Sequence, residues 1–223
     1  MRVEGPLIQP RTQPPGAGRL ARLPRHAPGM RIGLLGGSFN PAHEGHVLVS
    51  HTALRRLGLD RVWWMVTPGN PLKENGGLPP VAERVAAARR LVRDPNVDVT
   101  GFEEQIGTRF SYDTLSWLKQ RCAGVRFVWL MGGDNLAGFH RWQRWRDMAD
   151  LAPIAVIDRP GTTLRACRSP AAVSLGGYRI DETDARLLPD LPPPAWLFLH
   201  GRRSDLSSTA LRAAAGDGNA GPV

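Results

Sequence analysis

At 223 residues the chain suits one domain with a sizeable buried core, and its 42% hydrophobic and 22% charged content is that of a soluble globular protein. No apolar run approaches the ~18–20 residues of a membrane-spanning helix, which excludes a helical membrane protein as the expectation. Five arginines against Glu4 put +4 of the +9 net charge in residues 1–30, and the modest excess left over fits a site for polyanionic small molecules better than a dedicated nucleic-acid surface.

Cys122 and Cys167 have neither a CxxC partner nor metal-ligand spacing, so they read as reduced, incidental thiols and no protein-held metal is expected. The N-terminus lacks the continuous apolar stretch of a secretory signal, and the expected compartment is the cytoplasm. Residues 1–29 hold six prolines and four glycines without a hydrophobic period, which predicts a disordered basic arm. Met30, directly before the first strand, is an expected natural start.

The ordered chain opens with a strand over Arg31–Leu35. A helix is expected from about Gly45 to Leu57, stopped by Gly58. Arg61–Val66 is a near-continuous apolar run, the mark of a strand buried on both faces. Thr67–Pro80 reads as a loop carrying Lys73, then a helix over Val81–Val92 and a short strand, Val97–Thr100. Gly101–Thr108 is expected to be a loop and Phe110–Arg121 a helix. A buried strand at Phe127–Met131 precedes helical spacing over Phe139–Met148, and a fifth strand covers Pro153–Ile157. Residues 161–194 read as irregular. A sixth strand, Ala195–Leu199, leads to Ser207–Arg212, and 216–223 is a polar tail. Strands alternating with helices predict a single α/β domain over 30–215, a Rossmann-like, doubly wound parallel sheet with helices on both faces.

The most informative stretch is Ile32–His46. Gly36-Gly37 can bring backbone N–H groups close to an anion, because no Cβ intervenes, although a tight strand-to-helix turn also uses glycine. The helix N-terminus beyond adds unpaired donors and partial positive charge. His43 and His46, three residues apart, fall on one helical face. The run fits neither GxGxxG nor a Walker loop, and two histidines without a third ligand make a poor metal site.

Gly36-Gly37-Ser38-Phe39-Asn40-Pro41 with His43-Glu44-Gly45-His46 resembles the signature of the nucleotidylyltransferase superfamily, and Ser207-Ser208-Thr209-Ala210-Leu211-Arg212 resembles its second signature. Pro68–Lys73, Thr108–Leu115, Gly132–Leu136 and Phe139–Trp142 continue the likeness to bacterial nicotinate-nucleotide adenylyltransferases, in order from Arg31 to about Ala214. That resemblance implies transfer of AMP from ATP to nicotinate mononucleotide, giving nicotinate adenine dinucleotide and pyrophosphate, with Mg²⁺ carried on ATP.

The resemblance also implies roles. His43, His46, Lys73 and Arg212 would stabilise the transferring and departing phosphates. Gly36, Gly37, Ser38, Phe39, Asp134, Ser207, Ser208 and Thr209 would bind ATP, and Asn40, Ser111, Tyr112 and Trp142 would hold the acceptor. Trp142 as a core residue, Asp134 as a helix cap and Lys73 as a solvated loop residue are the structural alternatives. The family usually has Asp where Asn40 stands, which leaves the specificity of that subsite open. A nicotinamide mononucleotide or phosphopantetheine adenylyltransferase is the nearest rival, and a basic nucleic-acid-binding module the rival from another class. The small-molecule reading expects no nucleic acid and no membrane as partners, and a monomer or homodimer.

Overall fold

The six strands bury side chains on both faces, so their sequences are apolar at odd and even positions alike. The computed structural model describes residues 21–69, 77–158 and 163–201. Within these, β1 (Arg31–Gly37), β2 (Arg61–Val66), β3 (Val97–Thr100), β4 (Arg126–Gly132), β5 (Ile154–Ile157) and β6 (Trp196–Leu199) form one sheet in the order β3-β2-β1-β4-β5-β6, parallel throughout. The order reverses between β1 and β4, which leaves a crevice at their carboxyl ends. The expected doubly wound fold is present.

Helices cover both faces. One core layer sets Leu35, Val62, Trp64, Val99, Leu130 and Leu197 against α1 (Glu44–Leu57), α2 (Val81–Leu91) and the 3-10 stretch Glu182–Asp190. The other sets Leu34, Trp63, Trp129, Val156 and Phe198 against α3 (Phe102–Ile106), α4 (Ser111–Arg121), α5 (Gly133–Gly138), α6 (Trp145–Ala149), α7 (Thr163–Cys167) and α8 (Pro170–Ser174). Helix α1 is well punctuated: Glu44 lies in its first turn, Arg55 and Arg56 in its last, and Gly58 ends it at φ 63. Trp64 donates its indole N–H to Ser50 Oγ (2.7 Å), which satisfies a fully buried polar atom and pins α1 to β2.

Four expectations need correction. First, Gly101–Thr108 holds α3, capped at Gly107 with φ 69; five residues are too few to show a helical period. Second, Phe139–Met148 is not one helix. A 3-10 turn, Phe139–Arg141, is separated from α6 by Arg144 at φ 54, a left-handed conformation that no helix interior adopts. Third, 163–190 is mostly short helical turns, with α8 started by a Ser169 cap and Pro170 at its first position.

Fourth, residues 21–29 are packed against the body. Ala21 and Leu23 lie against the core, and the Arg22 N–H donates to Gln105 Oε1 (3.1 Å). The His26 ring meets Trp63 edge-on at 5.8 Å, and the Gly29 N–H donates to Gly124 O (2.8 Å).

Two buried ionisable side chains stand behind the crevice. Arg84, 3% exposed, donates to Pro79 O (2.7 Å), Ser38 O (2.6 Å) and Thr67 O (2.9 Å). Glu103, 7% exposed, accepts from Thr114 Oγ1 (2.8 Å) and is hydrogen-bonded to the Thr67 side chain. Thr67 Oγ1 also donates to Gly69 O (2.9 Å). Burial lifts the Glu103 carboxyl from 4.5 to about 7, against the opposing pull of Thr114 and Thr67.

A carboxyl raised on folding stabilises the fold fully below about pH 4.5, and that contribution is lost as pH rises through about 7. At ~1.4 kcal/mol per pK unit the effect is on the order of 3 kcal/mol at most. Glu103→Gln removes the titration. Melting temperatures measured from pH 5 to 8 should show the wild type losing ground steadily to the variant, whereas parallel curves would refute the buried proton.

Candidate active site

The sequence reading ends the first strand at Leu35 and makes Gly36-Gly37 a tight turn; instead β1 runs through both, pairing Gly36 with Met65 and Gly37 with Val66. Neither has a positive φ. A Cβ on Gly36 would meet the Trp129 ring at 3.4 Å and Met65 Cε at 3.8 Å, and one on Gly37 the Phe39 ring at 3.4 Å, all ordinary contact distances. The protein itself therefore has little need of glycine at these half-buried positions. Close approach of a ligand to the backbone is the remaining physical reason for them. Gly33 is different: a Cβ there would lie 2.7 Å from Leu130 and 2.8 Å from Leu59, so packing explains it.

The two histidines form the cap of α1. His43 sits at the N-cap position, 5% exposed, and its Nδ1 accepts from the Gly45 N–H (3.1 Å). His46 Nδ1 in turn accepts from the His43 N–H (3.2 Å). This is a reciprocal capping box built from imidazoles instead of Ser and Glu. An Nδ1 that accepts puts the proton of the neutral ring on Nε2, so each ring carries an N–H donor at its far side. The rings lie 3.9 Å apart. Beneath them His46 rests on Phe39 (4.7 Å), and Phe39 stacks on Trp64 (5.0 Å, 16° between planes). Two donors at a helix N-terminus, held on a column of rings, suit an anionic group.

Phe39 takes a role that the sequence does not reveal. Its side chain is 1% exposed and belongs to the core, so only its backbone could reach a nucleotide; its φ of 47 turns the chain from β1 toward α1. Ser38 is half-buried and its carbonyl is held by Arg84. Asn40 is half-buried and joined to Pro41 by a cis peptide bond.

Across the crevice, Asp134 is exposed in the first turn of α5, at the carboxyl end of β4. Ser111 and Tyr112 are half-buried in the first turn of α4. Trp142 is half-buried beside Phe139 (5.3 Å) and Trp129 (6.2 Å), both edge-on. The Arg144 guanidinium lies 3.8 Å over the Tyr112 ring, which joins the start of α4 to the Trp142 segment. Lys73, Ser207, Ser208, Thr209 and Arg212 lie outside the described residues.

Sequence reasoning missed Arg84, Glu103, Thr67 and Arg144. The signal for Arg84 was present. Val81, Arg84, Val85 and Ala88 are the buried stripe of α2, so a charge stands where the helical period calls for an apolar residue.

The cytidylyltransferase-like family model matches residues 34–214. A probable nicotinate-nucleotide adenylyltransferase of Methylorubrum extorquens is 61% identical over 183 residues, 82% of this chain and 99% of that protein. A probable nicotinate-nucleotide adenylyltransferase of a Bradyrhizobium species is 56% identical over 82% of this chain and 95% of its own length. A solved Plasmodium falciparum nicotinic acid mononucleotide adenylyltransferase, complexed with NaAD, shares the fold with a TM-score of 0.62 at 16% identity, covering 82% of this chain and 83% of that one. Likeness of that extent over whole relatives identifies the family: this chain belongs to the cytidylyltransferase-like proteins and, within them, to the nicotinate-nucleotide adenylyltransferases.

Proposed function

We propose that the chain transfers the adenylyl group of ATP to nicotinate mononucleotide. An acceptor phosphate oxygen bonds to the α-phosphorus, the bond from that phosphorus to the α–β bridging oxygen breaks, and pyrophosphate leaves with the electron pair. The acceptor phosphate is already anionic at neutral pH, so no general base is required and catalysis reduces to alignment and charge stabilisation. The observation that carries this reading is the histidine cap, two imidazoles held side by side at the N-terminus of α1, directly after the paired glycines of β1. The acid-type acceptor rests on the relatives' names.

In this scheme His43 and His46 donate to the ATP phosphates, and Gly36, Gly37 and Ser38 bring backbone to the nucleotide. Asp134 takes ribose hydroxyls. Lys73 adds charge at the transferring phosphate. Ser207, Ser208 and Thr209 hold the outer phosphates and Arg212 neutralises the departing pyrophosphate. Asn40, Ser111, Tyr112 and Trp142 form the acceptor side, with Trp142 stacked on the pyridine ring. Among the described residues no group of three His, Cys, Asp or Glu side chains could hold a metal. An Mg²⁺ carried on ATP would need few protein ligands and would supply charge neutralisation of the triphosphate. No helix among the described residues is long and apolar enough to cross a membrane. Cys122 and Cys167 are both free, as suits the cytoplasm.

Pyrophosphate release with ATP, Mg²⁺ and each acceptor tests the assignment. Release with nicotinate mononucleotide is expected; release only with the amide nucleotide or with phosphopantetheine would redirect it. His46→Ala should lower kcat by ~10²-fold or more, the scale of losing one charge-stabilising donor. An unchanged kcat in the folded variant removes His46 from the mechanism. Trp142→Ala should raise the acceptor KM by about tenfold, the worth of a lost stacking contact, with the ATP KM little altered. The reverse pattern would move Trp142 to the ATP side.

A further inference from the structure

Arg84 and Glu103 are buried charged-type residues behind the crevice, and neither has a part in the chemistry above. Burial of such groups is costly unless every donor and acceptor is used. Arg84 spends its donors on three carbonyls from three separate segments. Ser38 follows the glycines of β1, Thr67 follows β2, and Pro79 precedes α2. A planar guanidinium fork can serve three directions at once in a way an ammonium cannot.

Thr67 is the junction. Its N–H donates to Gly37 O (3.0 Å), its carbonyl accepts from Arg84, and its side chain is bonded to Glu103. Glu103 continues to Thr114 Oγ1, which lies 2.9 Å from Thr108 Oγ1. A hydrogen-bonded line therefore runs from Ser38, through Arg84, Thr67, Glu103 and Thr114, to Thr108. One end is the turn assigned to ATP. The other is the approach to Ser111 and Tyr112, assigned to the acceptor.

We infer that Arg84 and Glu103 are positioning residues that couple the nucleotide-side turn to the acceptor-side start of α4 through Thr67. The inference rests on the assignment of those two sides given above. In-line transfer needs the acceptor oxygen and the α-phosphorus held in register, and a misplacement of about 1 Å can cost ~10²-fold in rate. A single polar line spanning both subsites sets that register. Arg89 makes a useful contrast: it lies on the same helix, yet its guanidinium bonds Val99 O in β3 (2.9 Å) and touches neither turn.

The test pairs Arg84→Lys with Thr114→Val, near-isosteric cuts at the two ends of the line, and adds the double variant and Arg89→Lys. Each is first shown to be folded at the assay temperature. Arg84→Lys should lower kcat by about tenfold to a hundredfold with the ATP KM within about threefold, and Thr114→Val should raise the acceptor KM. The double variant should lose clearly less than the product of the single losses, because either cut already breaks the line. Arg89→Lys should match the wild type. Hydrogen–deuterium exchange gives a second readout that does not need turnover: each single variant should quicken exchange in both 36–40 and 108–112. A kcat within about twofold of wild type in folded Arg84→Lys, multiplicative losses, or loosening confined to the segment nearest each cut would overturn the coupling. If the wild type released no pyrophosphate with nicotinate mononucleotide, the substrate assignment would fall, and the exchange pattern would still decide the coupling.

Discussion

Strand β1 is hydrogen-bonded on both sides, to β2 and to β4, and the chains that leave β1 and β4 go to opposite faces of the sheet. After β1 the chain climbs into α1 on one face; after β4 it enters α5 on the other. Nothing in the backbone can close the gap between these departures. The proposed site is that gap. Its floor is the carboxyl ends of two central strands that packing on both faces holds rigid. Its walls are the starts of α1 and α5. The histidine cap, the paired glycines and the acid on α5 gather there because the topology leaves no other place for them.

An opening of this kind exposes main-chain carbonyls that a closed sheet would have paired. Ser38, Thr67 and Pro79 lie on the segments that leave or approach the strand ends, and one buried arginine serves all three. Satisfying such groups from within keeps water away from the base of the site. It also makes the geometry of the crevice depend on residues that no ligand touches.

Much of this was legible in the sequence. Val62-Trp63-Trp64-Met65-Val66 and Phe127-Val128-Trp129-Leu130-Met131 are apolar at every position because each face of the sheet is covered, and that pattern leaves little alternative. The two-histidine stretch pointed to the anion site, yet its capping role stayed hidden, since Ser, Thr, Asp or Asn is what an N-cap position is expected to hold. Arg144 was invisible for another reason. A left-handed arginine has no sequence signature, so the period over Phe139–Met148 read as one helix. Residues 21–29 misled through composition. Prolines and glycines without a period describe a disordered arm, and equally an extended strap whose His26 and Leu23 reach the core one contact at a time.

The break at Arg144 has an optical consequence. Trp63, Trp64, Trp129, Trp145 and Trp196 are all buried, and their environments are fixed by the two core layers. Trp117 and Trp142 alone are half-buried. Had 139–148 continued as a single helix, Trp142 and Trp145 would have shared one apolar face. The break separates them, leaving Trp142 at the crevice as a chromophore seen against a nearly constant background. On the proposed assignment, intrinsic emission is therefore a built-in gauge of what enters the acceptor side, and Trp142→Phe marks which part of the signal belongs to it.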